Sequence, residues 1–200
     1  HFGGVPVVYV SVDSAARLVA GLNCYTPTIC GDLLKDPIFT AKAVVQSISA
    51  VVKLRMDRLL HVHISSPCET NSPANHSNIN RGSGFRCPNG QPLPVTALTV
   101  PGPGETTLAK HQMCLSHDAL EVKCYTSLVL EAEEFGFSFT GENPYGVFRI
   151  KKHIARMIRL AQVRELDVHY CAFGHYYEKH TTILTNFTEC EWEPTGLTGD

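Results

Sequence analysis

The sequence predicts an α/β domain with a mostly parallel sheet, on three observations. Short runs rich in β-branched and aromatic residues, among them VPVVYVSVD (5–13), LLHVHIS (59–65) and TTILTNF (181–187), sit between turn-forming residues. Longer segments with apolar positions at helical spacing alternate with these runs. The strand-like runs also end on reactive or acidic side chains, and in open α/β sheets ligands gather outside the carboxyl ends of the strands.

Taken in order, 5–13 reads as a strand covered on both faces and ending at Asp13, with a short segment containing PTICGDLL (27–34) after it. From about Thr40 to Arg58, Val44, Val45, Ile48, Val51, Val52 and Leu54 recur without internal Gly or Pro, which predicts a helix. Leu59–Ser65 is the next strand. Ser66 to about Gly104 is a long inserted loop rich in Pro, Gly, Asn and Ser, and a loop of that length in a compact domain points to function. Residues 106–135 read as mainly helical, FGFSFTGENP holds a short strand, and Val147–Gln162 reads as a basic helix carrying Arg149, Lys151, Lys152, Arg156 and Arg159. ELDVHYCAFG and TTILTNF supply the last two strands. A chain of 200 residues suits one core, so a single domain over 1–200 is expected.

Composition narrows the partners. With 17 basic and 19 acidic residues the formal net charge is -2, so attraction to nucleic acid has to come from a local patch. No apolar run approaches the roughly 18–20 residues that cross a bilayer, and no membrane partner is expected. Eight cysteines and two sequons, at Asn75 and Asn186, would suit a secreted disulfide framework. The low cysteine density, the lack of a CxxC pair and the lack of a signal-like start favour reduced thiols in an intracellular protein, with no structural metal.

Cys68 stands at the tip of a strand, where Pro67 fixes the backbone before it and presents the thiol to a crevice rather than packing it inward. Glu142, directly after the apolar FSF and its Thr-Gly, points out of another strand end. A thiol and a carboxylic acid so placed suit an electron-poor ring: the thiol adds while the acid serves a ring nitrogen. The plainer alternative for Glu142 is a helix N-terminal glutamate. Asp13 can accept hydrogen bonds from a ribose diol or cap a turn, and Asp32 can take an exocyclic amine or close a turn. Two histidine patterns compete. His61 and His63 alternate onto one sheet face as paired metal ligands do in nucleic-acid nicking enzymes. His63-Ile-Ser65 and His180-Thr-Thr182 fit the twin tripeptides of 2H-type phosphoesterases. The basic helix either meets phosphates or is a solvated face.

Read together, four blocks resemble the phage-type cytosine-C5 DNA methyltransferases. SVDSAARLVAGLNCYTPTICGDLL resembles the segment after their first motif, HVHISSPCETNSPA their Pro-Pro-Cys loop, and GENPYGVFRI their Glu-Asn-Pro-x-x-Gly element. DVHYCAFGHYYEKHTTILTNF resembles their Asp-Tyr-Cys-x-Tyr-Gly…Lys-x-Thr…Thr-Asn signature. The blocks keep the family's order over roughly residues 8–188.

That resemblance implies a Rossmann-like class I methyltransferase fold acting on DNA, with S-adenosyl-L-methionine as cofactor. It implies that Asp13 contacts the cofactor ribose and Asp32 the adenine amine, with Pro67 on the cofactor side of the thiol loop. Cys68 would add to C6 of cytosine, Glu142 would engage N3, and Lys179 and Thr181 would position the thiol loop or a phosphate. The chain departs from the pattern at Ser66, at Ser14-Ala15 and at His180. Only HFGG stands for the glycine-rich cofactor loop, so a domain lacking that upstream segment is expected. The alternative from another class is an inactive descendant of the fold that serves as a binding or assembly module for a protein partner.

Overall fold

The structure, a computed structural model, describes residues 12–13, 18–20, 23–25, 29–30, 41–52, 61–72, 85–94, 107–161, 163–173 and 179–187. It falls into two compact units, His1–Phe39 and Thr40–Asp200. In the first, β1 (Val12–Asp13) runs parallel to β4 (Ile29–Cys30), with Asp13 opposite Cys30. Beside them in sequence, β2 (Leu18–Ala20) and β3 (Asn23–Tyr25) pair antiparallel. Of the strand expected over 5–13, all but Val12 and Asp13 lies outside the described residues, as does Asp32.

The second unit is built on a four-stranded sheet ordered β5-β6-β8-β7, namely β5 (His61–Ser65), β6 (Ser138–Pro144), β8 (His180–Thr185) and β7 (Arg164–His169). β5 and β6 are parallel, whereas β8 runs antiparallel to both β6 and β7. The sheet is therefore mixed and not mostly parallel. The physical reason lies in the connections. Helices α2 (Thr107–Phe135) and α3 (Lys152–Leu160) link β5 to β6 and β6 to β7, so these three strands share a direction. The link from β7 to β8 has no such helix, only a 3-10 turn over Tyr170–Phe173 among its described residues, and β8 returns between β6 and β7.

The core packs α2 and α3 against one face of this sheet. Tyr125, Leu128 and Ala132 from α2 meet Phe139, Leu184, Phe148 and Ile154, with Val62 and Ile64 of β5 packed alongside. Period-two alternation explains why β5 contributes only these two: His61, His63 and Ser65 point the other way and are exposed. A Cβ on Gly141 would overlap the Tyr125 ring, so glycine is what lets β6 lie against α2. Gly136, at φ 69°, closes α2 with its N–H on the Ala132 carbonyl.

Two ties sharpen the frame. Helix α1 (Ala41–Val52) is fastened at its start by Glu131 of α2, which accepts from the Lys42 backbone N–H at 2.7 Å. Asn186 continues the edge of β8, accepting from Phe139 N at 2.7 Å and donating to Phe137 O at 3.1 Å, so this sequon asparagine is engaged in the fold. The expected basic helix is shorter than its pattern, and its charges divide. Lys151 is buried and Arg149 pairs with Glu165, while Lys152, Arg156 and Arg159 are exposed. Cys68, Cys87, Cys114, Cys124 and Cys171 carry free thiols. Among the described residues no helix is long and apolar enough to cross a membrane.

Candidate active site

The parallel register of β5 and β6 brings Ser65 opposite Glu142 at their carboxyl ends. Glu142 is buried, and its carboxylate accepts from Ser65 Oγ at 2.6 Å and from Lys179 Nζ at 2.9 Å. Cys68 lies three residues beyond the end of β5 and is exposed. It also stands close to Lys179. Burial alone would lower the Lys179 pKa, but the hydrogen bond to Glu142 and the Glu142 charge, with smaller contributions from Tyr170 and Cys68, outweigh it and hold the ammonium above its ordinary value. Lys179 is thus tied to the Glu142 carboxylate.

The loop carrying Cys68 is anchored on both sides of it. Ser66 is buried, and Asn143 Nδ2 donates to its carbonyl at 3.1 Å and to its hydroxyl at 2.9 Å; Tyr125 OH lies 3.5 Å from the same hydroxyl. Ser66 therefore serves as a tie. Beyond the cysteine, the N–H groups of Asn71 and Ser72 both donate to Cys68 O at 2.9 Å, closing a turn. Asn71 Nδ2 donates to Glu121 Oε1 at 2.9 Å and to Asn143 Oδ1 at 3.0 Å. Thr70 and Asn71 are wholly buried while Cys68 and Glu69 are exposed.

Beneath this loop lies a buried cluster of charges. Lys151 Nζ sits 2.8 Å from Asp118 Oδ1 and 2.9 Å from both oxygens of Glu121, and His153 Nε2 lies 2.9 Å from Glu121 Oε2. Arg86, wholly buried in a small hairpin within the inserted loop, donates to Asp118, to Thr70 O and Oγ1, to Gly90 O and to Cys114 O. Burial alone would raise the Asp118 and Glu121 pKa values. Arg86 and Lys151 around Asp118, and His153, Lys151 and Asn71 around Glu121, outweigh it and hold both below the carboxylate range. Asp118, Glu121 and His153 have a spacing that could hold a metal ion. The Lys151 ammonium already lies against both carboxylates, and Arg86 and Lys151 balance their two charges.

The structure ties Glu142 to Ser65 and Lys179, and places Pro67 and Cys68 two and three residues past the end of β5. Thr181 is wholly buried, so its hydroxyl is not displayed toward a phosphate. Asp13 belongs to the first unit. His63 and His180 project from opposite faces, because His63 stands in line with Thr140 and Thr185 while His180 takes the alternate phase of β8. The twin tripeptides therefore do not share one cleft. His61 and His63 do share a face, where they hydrogen-bond to Ser138 and Thr140 across β6. The sequence reading missed Asn71, Glu121 and Lys151; the signal it held was a run of polar residues at helical spacing, His117, Asp118 and Glu121, inside an otherwise apolar helix face.

Compared with protein-family models, with curated proteins and with solved structures, the chain finds no significant match.

Proposed function

We propose that the chain is a Rossmann-like class I methyltransferase domain related to the cytosine-C5 DNA enzymes, using Cys68 as nucleophile and Glu142 as acid. One observation carries the reading: β5 and β6 run parallel, and near their carboxyl ends stand a buried carboxylate paired with Lys179 and, three residues past β5, an exposed thiol. The shared direction of β5, β6 and β7, each joined to the next through a helix, is compatible with such a fold, and a reversed strand in a mostly parallel sheet is a common variation.

Cys68 Sγ, as thiolate, bonds to C6 of a cytosine turned out of the duplex stack. The C5–C6 π electrons shift toward C5 and C4 while N3 takes a proton from Glu142, which, paired as a carboxylate with Lys179 before substrate binds, first takes that proton from solvent. Lys179, already donating to that carboxylate, balances its charge once the proton has passed. S-adenosyl-L-methionine would supply the methyl group that C5 takes. Loss of the C5 proton to solvent, expulsion of the Cys68 thiolate and return of the N3 proton to Glu142 complete the cycle. Asp13 ends a strand in the parallel pair of the first unit, the kind of position from which an acidic side chain holds a ribose diol.

DNA carrying 5-fluorocytosine, mixed with the protein and cofactor, should yield a covalent adduct in wild type and none with Cys68→Ser. A protein that takes up both cofactor and DNA yet forms no adduct overturns the reading. Calorimetry showing no uptake of S-adenosyl-L-methionine would replace it with the non-catalytic binding module.

A further inference from the structure

One face of α2 contacts the thiol loop position by position. Tyr125 lies at Ser66, Glu121 at Asn71, His117 at Thr70 through a 3.2 Å contact, and Asp118 at Arg86, which itself holds the Thr70 carbonyl. These helix residues stand at spacings of one, three and four, a single stripe. We infer that this stripe is a template that displays the Cys68 thiol, and that Glu121, acting through Asn71, is a positioning residue for it.

Three features support that role. Asn71 Nδ2 donates to Glu121 and Asn143, with the Pro67 carbonyl a longer third acceptor at 3.5 Å, while its Oδ1 is buried without a hydrogen-bond partner among the described residues, so the donor bonds fix its orientation. Through Asn143 the same amide is joined to Ser66, so the two sides of the cysteine are coupled to one another. Glu121 and Lys151 are both buried, and a buried ion pair gives no more stability than apolar packing of the same volume. Lys151 also occupies the N-cap of α3, where a positive charge opposes the helix dipole, with its ammonium turned to Asp118 and Glu121. This arrangement sacrifices stability at two places and gains a fixed acceptor for Asn71.

The chemical consequence rests on Cys68 being the nucleophile; the templating does not. Hydrogen exchange tests the template. In Asn71→Ala, and in the charge-balanced double variant Glu121→Leu/Lys151→Met, the Ser72 amide that donates to Cys68 O should exchange at least tenfold faster, with the β6 and β8 amides unchanged. Glu121→Gln keeps a carbonyl acceptor for Asn71 and should stay within about twofold of wild type. Folded variants with wild-type exchange at Ser72 overturn the proposal. The double variant decides if Asn71→Ala does not fold. In the 5-fluorocytosine reaction the double variant should form adduct at least tenfold more slowly at saturating DNA, with half-saturation unchanged, and Glu121→Gln should recover the rate. A wild-type protein that forms no adduct defeats the functional reading and leaves the exchange result to decide the template.

Discussion

Lys179 and Glu142 form an ion pair, Nζ to Oε1 at 2.9 Å, in which the carboxylate is buried and the ammonium is open to solvent on one side. Residues 37 positions apart in sequence are thereby held together between the end of β6 and the start of β8. The pair raises the lysine's proton affinity, so Glu142→Gln should lower the Lys179 pKa toward its ordinary 10.5. Cys68→Ser should lower it by less, since the cysteine is the weakest contributor. Side-chain NMR of Lys179 across an alkaline titration measures both. An unchanged midpoint in Glu142→Gln would remove the ion pair from the account of the site.

Gly141 lies directly against the Tyr125 ring. Gly141→Ala should therefore destabilise the second unit by about 1–3 kcal/mol, the usual cost of overpacking a closed core. Urea denaturation gives the value, and adding Tyr125→Leu should recover part of it if the clash is with the ring.

Arg86 makes a planar fork of contacts that lysine cannot reproduce. Arg86→Met leaves Asp118 with one cationic partner fewer and should cost about 3–5 kcal/mol, as breaking a buried pair does. Arg86→Lys should restore only part of that. Limited proteolysis should open the chain around residues 85–93 in both variants before the sheet is attacked.

Acid should unfold the protein in two stages. Burial is the largest influence on His117 and keeps its pKa below 6.5; Lys151 and Arg86 add to the effect, while Glu121 and Glu69 oppose it. Below about 6.5 the unfolded chain therefore binds a proton that the fold refuses, and stability falls with falling pH. Asp118 and Glu121 have depressed values, so their contribution is present above the ordinary carboxylate values of 3.8 and 4.5 and is lost as pH drops through their lower folded ones. All three groups act in the same sense. His61 acts in the same window, since burial first and His63 second lower its pKa too; urea midpoints from pH 7.5 to 3 should decline through both regions, and His117→Gln should reduce the upper decline while leaving the lower one.

The strand ends were legible because they are local. A β-branched run, then Ser-Ser-Pro-Cys, announces an exposed thiol at residue 68 whatever the rest of the chain does, and FSFTGE announces Glu142 in the same way. Lys151 shows the converse. Its neighbours Arg149, Lys152 and Arg156 gave the segment the look of one basic face, yet Lys151 is buried on two acids about 30 residues earlier. A pattern of charges along a helix cannot report which one turns inward, because that depends on partners supplied by a distant element.

By itself, then, the sequence determined the alternation of strands and helices and the placement of Cys68 and Glu142 near strand ends. Tertiary structure alone decided that β8 returns between β6 and β7, that Lys179 meets Glu142, and that Glu121 holds Asn71. Hydrophobic periodicity is written within ten residues of chain, whereas strand order and buried charge pairing are fixed only when distant segments exclude water between them.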